Sequence, residues 1–270
     1  MKFGLQLRNS GPHATRALLR DCACIADHLP IDDLWVFDHL AIPPDQSEGS
    51  GGLYVEPLAT LAFVAGITER VGIGTKVLIL PYRPALLTAK WVASIQELSG
   101  GRLHLGVGVG WMDAEFKALG VARSRRGALT DAALELLHRC FAADEVEVNG
   151  ESILFLPRPQ RPPIYIGGAP PHALRRAVRF GDGWMPPSSD PEELAPSIGE
   201  LRRLNREAGK PAPEVVVTLR QPLEDDGLAR QQVARLGAVG VTRIALALPY
   251  ESTAEFGRIA EGLVRIRGGD

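Results

Sequence analysis

An aspartate and a histidine stand side by side at Asp38-His39, closing the apolar run DLWVF. Imidazole titrates near neutrality and suits proton transfer, so His39 is the leading candidate for an acid–base group. In extended backbone successive side chains diverge, so Asp38 and His39 each need a partner of their own. A second cluster is glycine-based: Gly106, Gly108 and Gly110 alternate with valines (Val109 among them) and run into Trp111. Its G-x-G-x-G spacing misses the dinucleotide fingerprint, and no acidic strand end follows. Such glycines admit a flat ligand close to the backbone; a tight wall without a ligand is the alternative. A third cluster is Gly167-Gly168, before a helix opening at Pro170-Pro171. Backbone amides at such a turn can cradle a phosphate, although a glycine pair also serves plain turn chemistry.

Other chemistries find no residues. Cys22 and Cys24 are two apart and point to different sides of a helix, which is not zinc-ligand spacing. The six histidines show no HExxH and no i, i+4 pair, so no metal site is expected. No nucleophile-elbow G-x-S-x-G and no Walker A sequence occurs.

The elements that must position these residues alternate regularly. Strand-like runs cover residues 2–8, 33–40, 71–80, 102–110, 162–168, 182–187, 214–222 and 242–249. Helical patterns lie between them, as in Leu18, Cys22, Ile25 and Leu29, or Leu87, Trp91, Ile95 and Leu98. Asp190-Pro191-Glu192-Glu193 is a helix start, and Ser252 to Glu255 has capping-box spacing. Eight units in 270 residues predict a single (β/α)8 barrel over residues 1–270, with a doubly wound sheet as the alternative. A barrel presents its reactive groups at the C-terminal strand ends, which is where Asp38, His39, Lys76, Val77, the glycine strand, Gly167, Gly168 and Trp184 fall. Residues 43–55 form a Gly/Ser loop beside His39, expected to act as a lid, and residues 141–163 read as a hairpin around Asn149-Gly150.

Composition bounds the partners. Hydrophobic residues make up 45% and charged residues 23%, with a formal net charge of −2. This balance predicts a globular protein with no nucleic-acid or membrane partner. Three cysteines and an N-terminus without a cleavage motif predict a reduced, cytoplasmic protein.

Several segments together resemble the luciferase-like monooxygenase superfamily of flavin- and coenzyme F420-dependent oxidoreductases. They are LWVFDHL, the block from VGIGTKVLILPYRP through LSGGRLHLGVGVGW to EFKALGV, and PPIYIGGAPPHALRRAVRFGDGWMPP. The middle block is the specific one. The resemblance implies a (β/α)8 barrel and looks closest to the F420-dependent branch. It implies hydride transfer to or from a small organic substrate, with FMN-dependent monooxygenation as the alternative and a noncatalytic ligand-binding relative as a third reading. It places Asp38 and His39 against the cofactor ring, with His39 as the catalytic group. It places a bulge, with a non-proline cis bond at Lys76–Val77, behind the ring. Gly106, Gly108, Val109 and Gly110 then lie along the cofactor, Gly167, Gly168 and Ala169 hold its phosphate, and Trp184 stands nearby. Relatives acting on sugar phosphates carry a glutamate where this chain has Trp111, which speaks against that substrate. Packing of the small-residue helix over residues 56–66 across a two-fold would give a homodimer.

Overall fold

The computed structural model describes residues 1–221 and 225–268. The first half of the barrel consists of β1 (Lys2–Gln6), α1 (Arg16–His28), β2 (Asp33–Val36), α2 (Pro57–Ala65), β3 (Gly72–Ile79), α3 (Ala85–Leu98) and β4 (Leu103–Gly108). Two helices follow, α4 (Asp113–Ala118) and α5 (Arg126–Ala142), and then the hairpin β5 (Glu145–Val148) and β6 (Glu151–Leu154). The second half is β7 (Ile164–Gly167), α6 (His172–Phe180), β8 (Gly183–Met185), α7 (Pro191–Glu207), β9 (Glu214–Leu219), α8 (Asp226–Val239), β10 (Arg243–Leu246) and α9 (Thr253–Gly268). The strands close in the order β1-β10-β9-β8-β7-β4-β3-β2. Every pairing in that ring is parallel, so the molecule is a (β/α)8 barrel.

The strands end earlier than the apolar runs suggest. The run over 33–40 stops pairing at Val36, and the run over 214–222 at Leu219; Pro222 lies outside the described residues. Past the last ladder pairs the chain turns mostly polar, with Asp38 and His39 after β2 and Arg220 and Gln221 after β9 lining the barrel mouth. The hairpin turns at Asn149 and Gly150, with φ of 54° and 84°, the paired positive values a two-residue turn requires. Helix α3 corrects the apolar-face expectation. Thr88, Ala89, Val92, Ala93, Ile95 and Gln96 are buried, whereas Leu87, Trp91 and Leu98 are exposed. Small residues let this helix sit close between its neighbours, and its bulky stripe faces out.

The barrel interior is plugged by Trp35, Tyr165, Met185, Val216 and Ala245, one from each of five strands. The larger apolar cluster lies between strands and helices. Trp35 occupies space that Gly4 and Gly74 leave open: a Cβ at either would come within 2.6 Å of the indole. At the N-terminal strand ends Asp33 pairs with Arg243 and, at 3.0 Å, with His104. The hydroxyl of Tyr165 donates to Glu214 at 3.2 Å, closing the barrel bottom. Among the described residues no helix is long and apolar enough to cross a membrane.

Candidate active site

The chemistry collects at the opposite, C-terminal mouth. A cavity of about 590 Å³ opens there. Its walls are Val77 and Ile79 of β3, Gly108 to Trp111 after β4, Gly167 to Ala169 after β7, and Thr218 to Gln221 at the end of β9. A smaller cleft of about 150 Å³ adjoins it through Lys76, Val77, Ile79, Gly110 and Trp111, and reaches Phe37, Asp38, His39 and Tyr82.

The floor between the two is a bulge in β3. The register with β4 shifts between Thr75 and Leu78, and the Lys76–Val77 peptide is cis. The side chain of Val77 enters a slot that exists because two neighbours lack a Cβ. A Cβ at Gly108 would lie 2.6 Å from one Val77 methyl, and one at Gly167 would lie 2.8 Å from the other. The glycines therefore serve the bulge as well as any ligand lying on it.

Asp38 and His39 diverge as the extended geometry predicts. Asp38 is buried, and Arg83 grips both its oxygens at 2.6 and 2.8 Å while the Ile79 N–H donates to it at 2.7 Å. Burial raises the Asp38 pKa; the Arg83 pair and this N–H oppose that shift. Arg83 also reaches Glu56, whose other oxygen caps α2. Asp38, expected against a cofactor ring, thus has its polar capacity spent on tying β2, β3 and α2 together.

His39 faces the other way. Its Nδ1 lies 3.0 Å from Glu115 Oε2, and its side chain keeps 22% exposure at the cleft. Glu115 comes from α4 and is almost fully buried. Tyr82 donates its hydroxyl to the same oxygen at 2.9 Å, and the N–H groups of Leu40 and Ala41 donate to the other at 2.7 and 3.1 Å. Burial opposes ionisation of Glu115, but the His39 bond and the two backbone donors outweigh it and hold its carboxyl below the ordinary range. An acceptor-only carboxylate at Nδ1 requires that nitrogen to carry the proton. Neutral His39 therefore presents Nε2 as an acceptor. Tyr54, from the end of the 43–55 loop, packs its ring 5.0 Å from the imidazole.

Residues 1–256 match the luciferase-like monooxygenase family. The chain belongs to this family. An uncharacterized protein of Mycobacterium tuberculosis is 35% identical over 210 residues, covering 74% of this chain and 70% of that one. An F420-dependent secondary alcohol dehydrogenase, solved with an F420-acetone adduct, superposes with a TM-score of 0.81 at 16% identity, covering 98% of this chain and 99% of its own. The monooxygenase RslO1 of Streptomyces bottropensis gives a TM-score of 0.77 at 23% identity, with 98% and 99% covered. At these identities the two structures share the fold.

In this luciferase-like barrel most of the residues expected at the site do meet. His39, Asp38, Lys76, Val77, Gly108, Val109, Gly110, Gly167, Gly168 and Ala169 all border one cavity or the other. Gly106 and Trp184 do not. A Cβ at Gly106 would meet Met185 Sδ at 2.7 Å inside the barrel, so that glycine serves packing. Trp184 is buried and donates its indole N–H to Gly168 O at 2.8 Å, bracing the turn from behind. The turn offers fewer amides than its sequence suggests. The Gly168 N–H already donates to Met185 O, and Pro170 and Pro171 carry none. The Ala169 and His172 amides, which have no protein acceptor among the described residues, remain for an anion. Glu115, Thr218 and Arg220 were not singled out from the sequence, whereas Tyr82 and Arg83 follow from the strand-end rule at β3. Thr218 and Arg220 sit at a strand end and were reachable by the same positional rule as His39.

Proposed function

We propose that the protein is an oxidoreductase that uses coenzyme F420 to move a hydride to or from a small organic substrate, with His39 as its proton carrier. The observation that carries this reading is the Glu115–His39 pair at the edge of the bulge, with Nε2 turned to the cleft. The cavity suits a tricyclic ring with a phosphorylated tail. Its volume of about 590 Å³ lies within the range of cofactor sites. Val77 gives the ring an apolar support, the Gly108–Gly110 wall lets it lie close, and the Ala169 and His172 amides at the start of α6 suit the phosphate. When bound, the deazaflavin supplies a two-electron hydride donor or acceptor.

The chain's own groups do the rest. For an alcohol, His39 Nε2 takes the hydroxyl proton as the carbon gives up its hydride. In the reverse direction the same nitrogen returns the proton to the carbonyl oxygen. Glu115 keeps the imidazole in the tautomer that can accept and stabilises it once charged. The mouth is open, with Trp111 63% exposed and Gly168 and Ala169 at the surface. That favours hydride transfer over oxygen activation by reduced FMN, which needs water excluded from a reactive intermediate. We extend the proposal to a homodimer.

The test is titration of the purified protein with F420 and with FMN, followed by fluorescence, and then turnover with alcohols and ketones. F420 is expected to bind at least tenfold more tightly than FMN. His39→Ala is expected to keep that affinity and lose at least about tenfold in turnover, within the ~10²–10⁴ typical of acid–base groups. Preference for FMN with oxygen consumption would overturn the F420 assignment. Binding without turnover of any substrate would return the chain to a ligand-binding role.

A further inference from the structure

Lys76 is the one bulge residue whose side chain the reading above does not use. It leaves β3 at the cis bond and crosses the barrel mouth to β9, where its Nζ donates to Thr218 Oγ1 at 2.8 Å. In the closed strand order β3 and β9 are diametrically opposite, so the ammonium spans the floor of the site. Phe37 lies beneath it, its ring centroid 5.3 Å from Nζ. An ammonium has three N–H donors, and Thr218 takes one. Among the described residues no other hydrogen-bond acceptor and no carboxylate partners Nζ. Lys76 borders both the cavity and the cleft, so the remaining donors face ligand space.

Arg220 stands two residues beyond Thr218 and lines the same cavity, likewise without an ion-pair partner among the described residues. Among the described residues Asp38 is the only carboxylate bordering either space, and Arg83 pairs with both its oxygens. Among the described residues the site thus gathers two cations and no available anion. Burial, with Arg220 adding repulsion, pushes the Lys76 ammonium down to about 7. Holding a desolvated cation in this way is costly unless a ligand supplies the counter-charge. The Ala169 and His172 amides, at the end of β7, are separated from Thr218 by β8, so an anion on Lys76 is distinct from a phosphate at that turn. Val77, Ile79, Met185 and Leu219 supply the apolar part of the remaining walls, beside the polar Ser189 and Gln221.

From this arrangement we infer that the substrate is a carboxylate on an apolar body, its oxygens held by Lys76 Nζ with Arg220 in support. The inference rests on the proposed function for its meaning in catalysis, but the binding it asserts is measured without coenzyme. The probe is hexanoate against its neutral isostere hexanamide, by calorimetry on the coenzyme-free protein.

At pH 6.5 hexanoate is expected to bind at least tenfold more tightly than hexanamide. Lys76→Met is expected to bring the two within twofold, while Lys76→Arg keeps most of the preference. The charged and titratable groups that line these spaces with Lys76 are Arg220 just after β9, His39 and Asp38 after β2, and Tyr82 after β3, whose phenol burial and Glu115 hold protonated across this range. Arg220 stays charged and Asp38 stays paired, so the preference for hexanoate is expected to decline between pH 7 and 9 as the ammonium deprotonates. The decline is expected to persist in His39→Ala. Should Lys76→Met not fold, Thr218→Val removes the anchor and is expected to cut the preference at least threefold. Equal binding of hexanoate and hexanamide by the wild type would overturn the inference. So would a Lys76→Met protein that keeps the preference but loses coenzyme, which would assign the ammonium to the cofactor ring. A protein that binds hexanoate but neither coenzyme would overturn the proposed function and leave this inference standing.

Discussion

At the scale of single residues the site turns on what Glu115 does to His39. A buried carboxylate with four donors converging on it has one stable arrangement, and that arrangement dictates which imidazole nitrogen meets substrate. Glu115→Gln keeps the volume but removes the charge. It is expected to lower kcat about tenfold with coenzyme affinity unchanged. A purely structural role would lower activity additively with other changes. A positioning role would not, so His39→Ala/Glu115→Gln is expected to be no slower than His39→Ala alone. Additive losses in that cycle would separate Glu115 from the mechanism. Gly168 offers a second test. Its φ of +124° belongs to glycine, and the space beside it is open, the nearest atom to a Cβ being Ala173 Cβ at 3.6 Å. Gly168→Asp places a negative charge where the phosphate is expected and should weaken coenzyme binding at least tenfold. Gly168→Ala carries the same backbone strain without charge and should cost much less; equal losses would move the phosphate elsewhere. His39 and Gly168 were legible in the sequence because position at a strand end selects them. Glu115 was not, because its partner lies 76 positions away and only the fold brings them together.

At the scale of elements, strand starts and strand ends do different work. The ends carry the site, and the strand-like runs drawn to residues 40 and 222 overshoot the last paired residues, Val36 and Leu219, so the sequence placed those boundaries too late. Helix α4 escaped detection for a related reason: at six residues it is too short to show a period, yet it delivers Glu115. The strand starts are locked by Asp33, Arg243 and His104. Burial opposes ionisation of Asp33, but His104 and Arg243 hold its carboxyl below the ordinary range. A depressed folded pKa means the stabilisation is fully present above the unfolded value of ~3.9 and is lost as pH falls through the folded one. Asp33→Asn leaves buried Arg243 with only its longer pair to the half-exposed Glu214 at 3.3 Å, at a cost of about 3 kcal/mol. A fall in Tm of roughly 6–12 °C at pH 7 is expected for a chain of this size. The difference from wild type should narrow as the pH is lowered below ~3.9, where wild-type Asp33 loses its own charge. An unchanged Tm at pH 7 would show that the pair contributes no net stability.

At the scale of the whole molecule, one face is too apolar to be left to water. Leu87, Trp91 and Leu98 fall at i, i+4 and i+11 of α3 and are 53%, 39% and 69% exposed. Lys90, on the same helix, donates to Leu156 O at 2.7 Å, which brings the exposed Leu154 and Leu156 of the hairpin arm beside that stripe. Helix α2, expected to form the contact between copies, buries Leu58, Leu61 and Val64 within its own barrel and has less to offer. The same sequence pattern that announced α3 as a helix could not say which way its stripe faced, because an apolar period is identical for a core face and an interface. Contiguous apolar surface of this kind marks association, and a two-fold would pair the stripe with itself. The expected assembly is therefore a homodimer through α3. Trp91→Glu puts a charge at the centre of the stripe without touching the barrel interior or the site. It is expected to shift sedimentation from dimer to monomer at micromolar concentration, with coenzyme affinity within about twofold of wild type. A wild type that sediments as a monomer, or a Trp91→Glu protein that stays dimeric, would place the contact elsewhere or remove it.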